Sequence, residues 1–276
     1  RAEVGDEILR IEEMTLPRVG GGFMVDHVTL TLRKGEVVGL YGLMGAGRSE
    51  LFECLAGVRP EARGRVYLDG KLLPASSVAD RISAGIVLVP EDRQREGLVQ
   101  SISVAHNMLL ASLRSYFNGL FLTQRKERAA VTEMIKGLSI KVADPGQIIT
   151  SLSGGNQQKV VVAKGLLTAP KILLLDEPSR GIDVAAKSEI FAIMERLAEQ
   201  GFGVLFISSE LKEVMAMSDR ILVMSKGKIT GEFLREEASE AALVAASAIG
   251  HGAGENGDKR TRGARAETSQ AQAGRA

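Results

Sequence analysis

The sequence holds one cysteine, Cys54, no tryptophan, three histidines and few aromatic residues of any kind. A lone cysteine excludes an intrachain disulfide framework and suits a reducing, cytosolic setting. Its place among apolar residues reads as buried packing. His27, His106 and His251 stand far apart, without metal-ligand spacing. No apolar run approaches the ~18 residues of a membrane span, and the N-terminus shows no secretory-leader pattern. Membrane association would have to come through a partner. Charge of one sign is lacking as well: 35 Lys+Arg against 34 Asp+Glu leave a formal net charge of +1. Bulk attraction to nucleic acid is therefore not expected, and no nucleic-acid partner is assigned. The 276 residues suffice for one large domain with an inserted subdomain. The chain begins at Arg1 rather than methionine, which fits a segment of a longer polypeptide.

What is present is a phosphate-binding pattern with one departure. Gly42-Leu43-Met44-Gly45-Ala46-Gly47-Arg48-Ser49 follows the strand-like Val37–Leu40 and precedes the apolar stretch Leu51–Leu55. That is the strand, glycine loop and helix order of a P-loop, whose backbone N–H groups and helix N-terminus cradle phosphates. Arginine stands where the pattern expects lysine. Its planar fork does not replace a compact ammonium in a tight loop. Glu50, one residue on, opposes a phosphate if it faces the pocket and merely caps the helix if it turns outward. A second apolar strand, Lys171–Asp176, ends in a carboxylate pair. Asp176 and the Ser49 hydroxyl suit Mg²⁺, and Glu177 suits polarisation of a water attacking a γ-phosphate. Taken alone, the loop reads as a turn and the acidic pair as a solvated strand end.

Around these, the chain alternates strand and helix. Ile8 to about Leu32 reads as short strands about the Gly20–Gly22 turn, and Val66–Lys71 as another strand. Ile86–Val89 reads as a core strand, followed by the charged run Glu91–Glu96 at its C-terminal end, where ligand loops gather in α/β sheets. Val104 to Leu138 carries helical periodicity, and a further helix starts near Ser153. Helices and strands alternate onward to Met224. From about Gly250 the composition offers too little apolar surface to order the chain.

Four ordered motifs then resemble the ATP-binding subunits of ABC transporters. Leu152-Ser153-Gly154-Gly155-Asn156-Gln157-Gln158-Lys159 is similar to the family's signature, Ile172–Glu177 to its Walker B strand, and Pro178–Asp183 to the D-loop that follows. With the arginine-bearing P-loop and Glu91-Asp92-Arg93, the pattern looks like the second cassette of tandem monosaccharide-import ATPases. The resemblance implies an α/β P-loop NTPase fold: a RecA-like core with an antiparallel β subdomain and an inserted helical subdomain. Its bounds would be 1–97 and 153–240 for the core with the β subdomain, 98–152 for the helical subdomain, and 241–276 for a disordered tail. It implies ATP and Mg²⁺ as ligands. Phosphate contacts would fall on Gly42, Gly45, Ala46, Gly47, Arg48 and Ser49, metal ligation on Ser49 and Asp176, and catalysis on Glu177 and Ser209. Ser209 occupies the place of the family's switch histidine, and Glu91 that of its Q-loop glutamine. Ser153, Gly154, Gly155, Asn156 and Gln157 would address the γ-phosphate held by a partner cassette, with Asp183 in the D-loop. Phe23 is the one aromatic residue placed to stack on adenine. The implied partners are a second cassette, transmembrane permease subunits and, indirectly, a periplasmic or extracellular sugar-binding protein, on the cytoplasmic side of a bacterial inner membrane. Arg48, Glu91 and Ser209 together imply that this chain's own P-loop site is degenerate while its signature is intact. A non-hydrolysing dimerisation module and a non-transport ABC-type ATPase are the alternative readings.

Overall fold

The computed structural model describes residues 4–74, 77–113, 117–118, 121–122 and 124–250. Two runs of alternating apolar residues, β1 (Glu7–Pro17) and β2 (Phe23–Arg33), pair antiparallel about the Gly20–Gly22 turn. They join β4 (Arg63–Leu68) and β5 (Lys71–Leu73) in a four-stranded sheet of order β2-β1-β4-β5. The second sheet contains β3 (Val37–Gly42), β6 (Ile86–Val89), β9 (Ile172–Asp176), β10 (Gly203–Ile207), β11 (Arg220–Ser225) and β12 (Lys228–Leu234). Its order is β12-β11-β3-β10-β9-β6, parallel except at the β11–β12 hairpin. Lys226 and Gly227, both at positive φ, make that hairpin's turn.

Period-2 alternation sends side chains of the parallel strands into two separate cores. Val38, Leu40, Leu174, Leu205 and Leu222 face the antiparallel sheet. Tyr41, Leu175, Phe206 and Val223 face the other side. Helix α1 (Arg48–Leu55) lies within the first core, with Leu51, Phe52 and Leu55 at 0% exposure. Each such side chain contributes about 1.5–3 kcal/mol on burial, which fixes the helix that follows the glycine loop. Cys54 sits there too, 4% exposed. Burial, followed by the nearby Glu53, pushes its thiol up to about 12, so it is an inert packing residue.

The second core is covered by α5 (Gly154–Leu166), α6 (Val184–Glu199), α7 (Leu211–Met217) and α8 (Glu240–Ser247). Between β6 and β9 the chain also forms a π turn (Arg93–Gly97), α3 (Val104–Leu109), a two-residue hairpin β7–β8 (Phe117–Asn118 and Phe121–Leu122), and α4 (Gln124–Gly137). Helix α2 (Val78–Ala84), which apolar periodicity did not reveal, is fixed by a capping box between Ser77 and Asp80.

One expectation is corrected. The tail was expected to be disordered from 241, but α8 is capped by Ser239 and buries Leu243 and Ala246 against the sheet. The Ser239 cap and the helix-forming alanines suffice for a short helix, which the composition of the longer tail did not reveal. The rest of that expected tail, with His251, lies outside the described residues.

Candidate nucleotide site

The parallel strands align so that Leu40 of β3, Ile207 of β10 and Asp176 of β9 stand in adjacent register. Their C-terminal ends therefore open onto one crevice, the place where open α/β sheets hold ligands. The cavity there measures ≈ 740 Å³, lined by residues 41–50 together with Glu91, Glu177, Arg180, Lys187 and Ser209.

The loop is shaped by close backbone contacts. Gly47 caps α1 at φ 95, and a Cβ on it would meet the Met24 carbonyl oxygen at 2.2 Å. Gly227 N–H donates to Ala46 O at 2.9 Å, binding the β11–β12 turn to the loop from behind. Gly47→Ala should therefore lower stability by at least about 1–3 kcal/mol and displace the phosphate cradle. Denaturant unfolding together with nucleotide titration would check both effects.

The Arg48 guanidinium turns inward, 12% exposed. Nη1 donates to Ser208 O at 3.1 Å, and Nη2 lies 3.8 Å from Glu177 Oε1. Glu50, in the first turn of α1, is among the residues lining the cavity. Asp176 is 5% exposed, and its Oδ1 has no hydrogen-bond partner. Burial pushes its pKa up to about 6, against the Ser49 hydroxyl, which hydrogen-bonds the carboxylate and lowers it. A buried carboxylate oxygen without a donor, beside a serine hydroxyl, fits a hard divalent cation. Glu177 adopts φ 44 at the strand exit, and its Oε2 accepts a 3.2 Å hydrogen bond from Ser209 Oγ. The switch-position serine and the water-polarising carboxylate thus meet, although 32 residues separate them in the chain.

Other expected site residues lie elsewhere or serve the scaffold. Glu91 lines the cavity and forms an ion pair with Arg180. Asp183 caps α6, accepting from Ala186 N–H at 2.9 Å. Ser153 is the exposed N-cap residue of α5, and its Oγ accepts from Asn156 Nδ2 at 2.9 Å. Asn156 Oδ1 accepts in turn from Lys141 N–H. Gln157, expected at a phosphate, is buried at 6% exposure and donates to Ile149 O and Leu152 O. The second position after Gly155 points it back into its own subdomain. None of Ser153–Gln157 lines the P-loop cavity. Phe23 is 40% exposed at the start of β2, edge-on to His27 with ring centroids 5.5 Å apart, and it too is outside the lining.

Two organising residues escaped the sequence reading. Arg93, in the charged run after β6, donates to Arg180 O at 2.9 Å and Gly181 O at 3.1 Å. A Cβ on Gly154 would come within 2.7 Å of its Nη2, so one guanidinium bridges D-loop and signature. Glu91-Asp92-Arg93 carries part of the family resemblance, but the sequence assigns this arginine no role, because its acceptors lie 87 and 88 residues on. Glu213 on α7 accepts from Ser179 and Ser208 Oγ, both at 2.7 Å, and pairs with Lys187 at 2.5 Å. A single acidic residue on a helix carries no signal for that role.

Strand order, glycine loop and acidic strand end define a P-loop domain of the ATP-binding-cassette fold. The ABC transporter family profile matches residues 25–180. The chain belongs to the ABC transporter family. It is 47% identical over 237 residues to the ribose import ATP-binding protein of Caldanaerobacter subterraneus subsp. tengcongensis, covering 86% of this chain and 47% of that protein. It is 44% identical over 245 residues to the xylose import ATP-binding protein of Photobacterium profundum, covering 88% of this chain and 48% of that one. The chain thus spans about half the length of these relatives. In fold it is similar to a nucleotide-free ATP-binding cassette from an ABC transporter, with a TM-score of 0.76 at 24% identity over 87% of this chain and 98% of the other. It also resembles a dimeric, post-hydrolysis cassette bound to ADP and phosphate, with a TM-score of 0.72 at 21% identity over 83% and 99%.

Proposed function

We propose that this chain is one cassette of a pair that couples ATP binding and hydrolysis to monosaccharide import, lying peripherally on the cytoplasmic side of a bacterial inner membrane. The names of the ribose and xylose import relatives support the substrate class. Among the described residues no helix is long and apolar enough to cross a membrane, so permease subunits would provide the path and an external binding protein the sugar. This chain would act by closing against its partner, converting phosphate-contact energy into movement of the permease.

The observation that carries the asymmetric form of this reading is the inward turn of Arg48 onto Ser208 and Glu177. The side chain that should meet a phosphate is occupied by the protein. With Glu91 already paired to Arg180 and serine at position 209, this P-loop would bind nucleotide and support closure while turning it over poorly. The exposed N-terminus of α5 at Ser153–Gly155, outside this cavity, would complete a competent site on the partner's P-loop. Ser49 and Asp176 would hold Mg²⁺, which neutralises phosphate charge when bound. Glu177 would orient the attacking water, held in place by Ser209.

Nucleotide binding to this chain, and hydrolysis before and after its missing cassette is supplied, test the reading. Turnover should appear only in the pair. A pair that binds ATP without turnover would identify a silent dimerisation module. Recovery with nucleic acid instead of membrane subunits would identify a non-transport ATPase. The adenine-stacking role proposed for Phe23 predicts a ~3–10-fold loss of nucleotide affinity in Phe23→Ala with an unchanged unfolding curve, and unchanged affinity excludes it.

Metal binding should also depend on pH. Asp176 titrates near 6 when folded against an ordinary value of 3.8. The folded protein therefore holds a proton between these values that the unfolded chain does not, and this group's contribution to stability falls as pH rises through that window. A divalent cation must displace that proton below about 6. Its affinity should fall by about tenfold per pH unit there and level off above, as Mn²⁺ titration of the nucleotide-loaded chain would show.

A further inference from the structure

Helix α2 presents one buried side chain to the rest of the protein, and it is an arginine. Arg81 is 6% exposed, in the place where an apolar residue ordinarily docks a short helix. Its Nε and Nη1 have no hydrogen-bond partner. Burial alone lowers its pKa, with no carboxylate acting in the opposite direction. Buried polar groups are normally paired, and buried charges more so.

Arg81 lines a cavity of ≈ 720 Å³ between the α1–β4 connection, the β4–β5 edge and α2, which shares no lining residue with the P-loop cavity. Arg59 and Arg63 line it too. Arg59 is partly committed, its Nε 2.6 Å from Glu53 and its Nη1 4.0 Å from Glu61. Arg63 gives Nη1 to Pro60 O and Ala62 O, which holds its stem against the loop. Asp80 is the single carboxylate in the lining, and it is bonded to Ser77. Met14, Val66, Leu73 and Val78 form an apolar wall.

We propose that this cavity binds a small organic oxyanion, a phosphate or carboxylate head on a short apolar body, with Arg81 as its innermost ligand and Arg63 and Arg59 at the rim. With Arg59 offset by Glu53 and Glu61 and Asp80 bonded to Ser77, the positive charge that counts is that of Arg81 and Arg63, and Nε and Nη1 of Arg81 are unspent. Charge-assisted hydrogen bonds to an oxyanion would satisfy them. The apolar wall selects for a body behind the head rather than for a bare inorganic ion.

The arginine Nε–H resonances of the ¹⁵N-labelled chain, with the P-loop saturated by Mg-ADP, report on this site separately from nucleotide. Two probes apply: inorganic phosphate and monobutyl phosphate. The resonance assigned by its loss in Arg81→Lys should shift with both, and monobutyl phosphate should bind about tenfold more tightly because its methylenes are partly buried. Arg81→Met should weaken binding by at least about tenfold, and the rim variant Arg63→Ala by a few-fold with the fold intact. An Arg81 resonance unmoved by either probe, or unchanged affinity in Arg63→Ala and Arg81→Met, overturns the site. Equal affinity for the two probes overturns the organic ligand. ATP turnover is not read in these titrations, so their failure leaves the cassette reading untouched.

Discussion

In the assembled pair of cassettes, Ser153→Ala or Gly154→Ala will lower ATP turnover by about 10²–10³-fold, whereas Arg48→Ala will lower it less than about threefold. The larger figure is the usual cost of losing an anion-stabilising donor set at a transition state. Ser153 caps α5 without accepting from a backbone N–H of its first turn. Its Oγ accepts from the Asn156 amide, which leaves its O–H free to donate outward beside those N–H groups. Gly154 has a second constraint. An added Cβ would press Arg93 Nη2 at 2.7 Å and the Gly181 oxygen at 3.2 Å, prying the signature away from the D-loop. Arg48, by contrast, already spends its guanidinium on Ser208 O and Glu177. Removing it takes away a structural contact and frees Glu177, but no contact of Arg48 reaches the loop that would hold phosphate. Single-turnover and steady-state hydrolysis on the same preparations separate binding from chemistry. Comparable, complete loss from Arg48→Ala would refute the asymmetry, since the P-loop of this chain would then be the one that turns over.

The same contrast explains which parts of the molecule were legible in the sequence. The P-loop, the acidic strand end and the alternation of strand and helix were readable because each rests on local spacing: glycines at fixed offsets, a fully apolar run, a charge pair at its end. Their assembly was not readable in the same way, since β3 lies between β10 and β11 from the other end of the chain. Legibility ended where a residue's role depends on the return of a distant segment. Glu177 reaches Ser209 across 32 positions, and Arg93 reaches Arg180 across 87. Gln157 misled because the signature pattern specifies residue types without specifying faces. In the folded helix it turns back to Leu152 O while Ser153 points out. Helix α2 was missed for a related reason, since the residue it buries is Arg81 and hydrophobic periodicity cannot detect it.

Glu213→Ala should be strongly destabilising for a single change in this chain, by about 2–4 kcal/mol, which lowers the melting temperature by roughly 4–12 °C. Its carboxylate, 6% exposed, gathers Ser179 after the D-loop proline, Ser208 at the exit of β10 and Lys187 on α6. Deletion leaves two hydroxyls without their acceptor and takes one of two carboxylates from Lys187, whose Nζ keeps Glu210 at 2.7 Å. The cost therefore comes chiefly from the hydroxyls and the space vacated. Burial works to raise this carboxyl, but Lys187, Ser208 and Ser179 together hold it below its ordinary 4.5. A depressed folded-state value means that the stabilisation is present above the unfolded value and fades as pH falls through the folded one. The difference between wild type and Glu213→Ala should therefore be full at pH 7 and shrink below about 4.5. Glu213→Leu combined with Lys187→Met should recover much of the loss by removing both charges. Ser208 O also receives Arg48, and Ser208 precedes the serine that holds Glu177, so Glu213 anchors the strand exit on which the water-polarising carboxylate rests. A loss under about 1 kcal/mol at pH 7 would show the network to be solvated and would remove that anchoring role.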